Sequence, residues 1–334
     1  MTGHREVSIA FQSNKTVAEY AALARRVEGY GFDALGVYGD LMFQPPIGPL
    51  LLMARATTRI RLGPASVNPY TLHPVEIAGQ IALLDAVSGG RAYLGLSRGA
   101  WLESLGIAQT RPLATMREAV AVVRHLLAKK REAFDGAVFH LSAHNIFQYD
   151  VLWPDVPLMI GSWGPKLAAL AGEVADEVKI GGCVNPAMVP VMRERIAVGA
   201  RRAERDVDAV GVVLGAVTVV DDDGAAARQR AKEEVARYLP TVAGLDPTVA
   251  IDPELLARMK TAAQQGDWHA AATLISDDLL RPFAFAGTPA DVVAHAESIF
   301  AAGASRIEFG TPHGLTDARG IQLLGAQVLP ALRQ

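Results

Sequence analysis

The sequence predicts an α/β fold, a single (β/α)8 TIM barrel spanning residues 1–334, on three observations. The chain has 334 residues, 50% hydrophobic and 20% charged, which suits one large core and the usual length of such a barrel with insertions. The stretch from Arg59 to Gly99, RIRLGPASVNPYTLHPVEIAGQIALLDAVSGGRAYLGLSRG, reads without a break as strand, loop, helix, tight turn, strand and loop. Short β-rich runs then alternate with helical patterns along the whole length. Such alternation argues for parallel strands joined by right-handed crossovers, and eight repeats close a barrel.

Within the βαβ unit, Ile60, Leu62 and the run to Val67 form a buried-type strand, and Asn68, Pro69, Tyr70 and Pro74 make a structured loop. Apolar residues recur at helical spacing from Val75 to Val87, Ser88-Gly89-Gly90 stops the helix, and Tyr93, Leu94 and Leu96 form the next strand. The expected strands are 7–12, 34–38, 60–67, 92–97, 157–161, 177–181, 210–220 and 306–310. The expected helices are 17–30, 49–56, 75–87, 113–130, 166–174, 188–203, 225–238 and 321–332. Two segments break the repeat. Residues 133–157 carry Asp135-Gly136 between apolar residues and read as an inserted hairpin on the rim. Residues 239–287 read as a helical insertion, with helices at 253–265 and 268–280, and a further helix at 289–302 feeds the last strand. Following strand seven, this insertion lies near the mouth as a lid, an oligomer contact or extra scaffold.

The formal charge of −3, with no long basic run, gives no footing for nucleic acid or an anionic membrane and favours small-molecule chemistry. A single cysteine, Cys183, excludes an internal disulfide and leaves a metal site without a second thiol. The polar start MTGHREVS and the lack of a membrane-length apolar run predict a cytoplasmic protein, expected as a homodimer or higher homo-oligomer.

In a barrel the loops after the strands carry the chemistry. Gly161-Ser162-Trp163-Gly164-Pro165-Lys166 is a strand end, a glycine-rich turn and a helix with proline at its first position, a start whose free N–H groups suit an anion or simply a well-begun helix. Gly181 and Gly182 end the neighbouring strand, and two such ends together favour a phosphate pocket. Asn68 and Tyr70 could bond a heterocycle's edge, or Asn68-Pro69 could merely form a turn. Ser97, Arg98 and Gly99 end strand four before Trp101, where Arg98 could meet an acidic group or a neighbouring carboxylate. Asp221 to Asp223 read as helix caps, and Cys183 as a core residue. Of the histidines only His73 and His313 lie near strand ends. His4, His125, His140, His144, His269 and His295 fall elsewhere.

Taken together, RIRLGPASVNPYTLHP, SGGRAYLGLSRGAW, IGSWGPKLAALAGEVAD and GTPADVVAHAESIFAAGASRIEFG resemble the luciferase-like superfamily of flavin and deazaflavin oxidoreductases, nearly end to end. One branch of it uses coenzyme F420, an 8-hydroxy-5-deazaflavin, and the chain is similar to that branch's methylenetetrahydromethanopterin reductases even in QQGDWHAAATLISDDLLRPFAFAGTP. The resemblance implies a cofactor ring at the barrel mouth against a bulge in strand three, with a non-prolyl cis peptide at Ala65-Ser66. Asn68 would hold the cofactor's polar tail or ring edge. Gly161, Ser162, Trp163, Gly164, Pro165, Gly181 and Gly182 would surround its phosphate, with Ser97 and Arg98 alongside.

One departure stands out. The reductases carry a glutamate near the end of strand one and an aspartate after the glycine ending strand four. An ungapped reading places Ala10 and Ala100 there. The expected activity is therefore hydride transfer between the deazaflavin C5 and an organic substrate bearing a C=C, C=N or methylene-pterin group. Proton handling would fall to His313, His73, Tyr38 or a water held by Gln12 and Asp40. The rival readings are a two-component monooxygenase using FMN, a flavin-free methylenetetrahydrofolate reductase using NADH, and a non-catalytic barrel.

Overall fold

The computed structural model describes residues 5–334, so His4 lies outside the described residues. In chain order the barrel half that opens the fold comprises β1 (Glu6–Phe11), α1 (Val17–Tyr30), β2 (Ala34–Val37), α2 (Ile47–Arg55), β3 (Arg61–Pro64), α3 (Pro74–Ser88), β4 (Leu94–Ser97) and α4 (Pro112–Leu127). A two-stranded hairpin, β5 (Phe134–Asp135) and β6 (His140–Leu141), follows within 133–157. Then come β7 (Leu158–Gly161), α5 (Pro165–Val174), β8 (Glu177–Gly181), α6 (Met188–Arg202), β9 (Gly211–Val220) and α7 (Gly224–Val235). The chain continues through α8 (Leu239–Val242), α9 (Pro253–Gln264), α10 (Trp268–Thr273), α11 (Asp277–Leu280), β10 (Ala284–Gly287) and α12 (Pro289–Ala301), then β11 (Arg306–His313), α13 (Asp317–Leu323), a π-helical turn at Leu324–Val328 and α14 (Leu329–Ala331).

All strand pairs of the main sheet are parallel, in the order β3-β2-β1-β11-β9-β8-β7-β4. Bridges at Leu62–Ala92 and Val67–Leu96 join the two end strands and close the barrel. These eight are the eight expected strands. The helix starts and stops obey local chemistry. Thr16 and Thr288 form capping boxes with Glu19 and Asp291, and Gly31 and Gly89 end α1 and α3 in the left-handed region at φ 91° and 69°.

Three expectations are corrected. The 239–287 insertion is not wholly helical, because its last four residues form β10, which pairs with the end of β9. The helix expected at 268–280 is two helices, since Ser276 accepts the Leu279 N–H at 3.1 Å and starts a new one. The C-terminal helix begins earlier than expected, at Asp317, where Thr316 caps the Arg319 N–H. Among the described residues no helix is long and apolar enough to cross a membrane. Asp223 caps α7 through the Ala225 and Ala226 N–H groups, and Cys183 is fully buried, its thiol pushed up to about 12 by burial.

Candidate active site at the barrel mouth

The carboxyl ends of β3, β4 and β7 converge. Ser66 Oγ donates to Ser97 Oγ at 2.6 Å, and a Cβ on Gly161 would lie 3.2 Å from that of Ser97. Ala65, Ser66, Ser97 and Gly161 are all half-buried, so they form a wall that solvent still reaches. The wall is a bulge. Ala65 N–H bonds the Val37 carbonyl, while Val67 rejoins β4 by bonding the Gly95 carbonyl, leaving Ser66 out of the ladder. The peptide between Ala65 and Ser66 is cis, and so is Thr311-Pro312.

Beside this wall lies the start of α5. Gly164 is its N-cap and offers no side-chain cap, with Pro165 at the first position, so the leading N–H groups point outward. Around Gly164 and Gly181 nothing lies within 4 Å of where a Cβ would be, and both are exposed. Trp163 Nε1 donates to the Gly181 carbonyl at 2.9 Å, and Ser162 N–H donates to the Lys179 carbonyl, so the two glycine-rich ends are tied together. Arg98 is exposed, and only its carbonyl is engaged, by Gln109.

The remaining candidates sort differently. Asn68 is buried, and its Oδ1 accepts from the Tyr70 and Thr71 N–H groups, which makes it the turn former of its own loop. Tyr70 spends its hydroxyl on the Thr110 carbonyl at 3.0 Å instead of a ligand edge. His73 is the N-cap of α3, its Nδ1 accepting from Val75. His313 has no exposed surface. Its Nε2 donates to the Ala10 carbonyl at 3.1 Å, next to Pro312, which has no N–H to give where β11 bulges between Gly310 and His313. Burial pushes its pKa down to about 4, so the ring is neutral. All four spend these hydrogen bonds on the protein's own backbone. Ala10 also moves, because it is fully buried and faces the Gly36 and Ala65 side of the interior. The strand-one side chain that reaches the mouth is Gln12, half-buried, with Nε2 donating to Asp40 Oδ2 at 3.0 Å and Oε1 left without a partner.

Two residues escaped the sequence reading. Lys179 of β8 and Glu308 of β11 form a buried ion pair just below the mouth, and Tyr38 lies above it with Lys179 Nζ 5.4 Å from its ring centre. Their signal was charge at every second position of short strands, EVKIG and RIEFG, the side that faces the barrel axis.

A family model described as Luciferase-like monooxygenase matches residues 3–306. The chain belongs to the luciferase-like family. This luciferase-like chain is 31% identical to the 5,10-methylenetetrahydromethanopterin reductase of Archaeoglobus fulgidus, over 97% of the chain and 99% of that protein. It is 32% identical to the reductase of the same name from Methanolobus tindarius, over 96% of the chain and 98% of the relative. The solved structure of the coenzyme F420 dependent tetrahydromethanopterin reductase from Methanopyrus kandleri matches it with a TM-score of 0.89 at 26% identity, covering 98% of this chain and 99% of that one.

Proposed function

We propose that this protein is a deazaflavin-dependent oxidoreductase that uses coenzyme F420 to exchange a hydride with a small organic substrate at the barrel mouth. The observation carrying this reading is the full-length likeness to methylenetetrahydromethanopterin reductases. The mouth also fits such a cofactor, since the uncapped helix start carries one open glycine, Gly164, and a second, Gly181, ends the neighbouring strand. When bound, the deazaflavin supplies a hydride at C5 as a two-electron carrier. The chain does the rest. The N–H groups at the start of α5, with Gly161, Ser162, Gly164, Pro165, Gly181 and Gly182, hold a phosphate through hydrogen bonds and the helix dipole. Ala65, Ser66 and Ser97 give the ring a wall, and Arg98 reaches an anionic tail. Gln12 and Asp40 hold a water, and Tyr38 stands ready to give a proton.

Methylenetetrahydromethanopterin is expected to be reduced poorly or not at all. Gln12 brings an amide, not a carboxylate, to the end of strand one, and Ala100 is exposed after strand four. Opening a methylene-pterin ring requires protonation of its nitrogen, and lacking the carboxylic acids that would give that proton costs a factor of about 10² to 10⁴. Steady-state assays with reduced F420 should therefore show turnover on a panel of C=O, C=C and C=N acceptors and little on the pterin. Pterin turnover near about 10 per second, an ordinary enzyme rate, would overturn the substrate assignment.

A further inference from the structure

Directly beneath the mouth the barrel interior is charged. Lys179 and Glu308 are 6% and 1% exposed and pair with each other. Both pass Gly215, where a Cβ would lie 3.4 Å from Lys179 Cε and 2.9 Å from Glu308 Cβ, so the glycine opens the space the pair occupies. Tyr38, half-buried at the end of β2, reaches across to β11. A Cβ on Gly310 would fall 2.5 Å from its hydroxyl, and the Lys179 ammonium lies against its ring. Glu308 Oε2 has no hydrogen-bond partner. Desolvating such a pair offsets most of its attraction, and well-packed apolar residues would serve stability as well or better. Stability alone does not account for it.

We propose that Tyr38 is the proton donor to the oxygen of a carbonyl substrate, that Glu308 is the positioning residue that keeps it protonated, and that Lys179, paired with Glu308, lies against its ring to receive the charge left behind. This rests on the deazaflavin reading above. The incoming hydride forms the new C–H bond, and the carbonyl π pair moves onto oxygen. The Tyr38 O–H bond breaks as the alcohol O–H forms, and the phenolate regains its proton from water in the mouth. An iminium-type carbon needs no such donor, because the hydride leaves it neutral, so the cluster fits a carbonyl and, in reverse, an alcohol. Burial, and after it the Glu308 carboxylate, keep Tyr38 protonated well above the ordinary tyrosine range. Lys179, across the ring face, steadies the phenolate while it exists. The other ionisable groups bearing on Tyr38 are Asp40 two residues on, Tyr93 beside β4 and Tyr238 after α7.

The test is an NMR titration of full-length, cofactor-free protein carrying ¹³Cζ-labelled tyrosine, with Tyr38→Phe assigning the signal. Glu308→Gln should move the Tyr38 ionisation down by about one unit or more, the size expected for losing a nearby like charge. Lys179→Met/Glu308→Gln, which leaves neither charge alone, should move it the same way by less and serves if the single variant does not fold. In the loaded enzyme Tyr38→Phe should lower carbonyl turnover by a factor of about 10² to 10⁴ with cofactor affinity unchanged. A Tyr38 titration identical in parent and variants, or full carbonyl turnover by Tyr38→Phe, overturns the proposal. The titration needs no cofactor, so its failure is distinct from a failure to bind F420, which would strike the deazaflavin reading instead.

Discussion

The two ends of the barrel are built from the same eight strands, yet the floor is dominated by paired charges and the mouth by an uncapped helix start and open glycines. At the floor, charged side chains pair with one another, although Arg306 Nε and Nη1 have no hydrogen-bond partner. Arg306 is fully buried, donates to Glu177 at 2.5 Å and lies over the Tyr93 ring, and Arg61 pairs with Glu6. A cavity of about 190 Å³ opens there, lined by Glu6, Arg61, Tyr93, Asp176, Glu177 and Ser305 among others, large enough for several waters at roughly 30 Å³ each. At the mouth, polar capacity is left over: the uncapped start of α5, the exposed Arg98, Gln12 Oε1 and Glu308 Oε2. Unpartnered polar atoms occur at both ends, so what marks the mouth is the uncapped start of α5 beside open glycines, at the end where barrels of this kind place their chemistry.

The sharpest way to break this comparison is at the floor. Arg306→Ala strands the Glu177 carboxylate and should cost about 3–5 kcal/mol in urea unfolding, while F420 affinity in the folded fraction stays unchanged. A loss of affinity without a loss of stability would give the floor a role it is denied here.

The next effect is pH dependence, and it separates His313 as scaffold from His313 as chemistry. His313 and His295 are both pushed down to about 4 by burial, His295 with its Nε2 on the Val184 carbonyl. The unfolded chain protonates them near 6.5, so their contribution is complete above that pH and is lost as pH falls toward 4, up to about 3 kcal/mol each. His313→Gln should flatten the stability slope between pH 6.5 and 4 while leaving turnover at neutral pH intact. An unaltered slope, or lost turnover in a stable variant, would contradict the scaffold role.

A smaller effect tests the mouth. Gly164→Val should weaken F420 about tenfold, roughly 1.4 kcal/mol, with stability within about 1 kcal/mol of the parent. Equal affinity would remove the phosphate from the start of α5.

Much of the frame was legible because alternation and caps are local. Period-two and helical patterns put the eight strands in place, and the Ser88-Gly89-Gly90 turn ended its helix where expected. What escaped was non-local. The AFAG run of β10 is too short and small to announce a strand until β9 offers an edge. The full burial of His313 and Ala10 was not legible, because position along a strand reveals neither a bulge nor the layer in which a side chain is buried. Ser66, Ser97 and the glycines were legible as strand ends. The Lys179–Glu308 pair was not, because its meaning requires two strands to be brought face to face.

The central claim is tested most directly by equilibrium binding of F420 and of FMN to the cofactor-free protein, followed by absorbance. The account predicts that F420 binds at low micromolar concentration or better and that FMN binds far more weakly, with Gly164→Val selectively impairing F420. Tight FMN binding with no measurable affinity for F420 would contradict it.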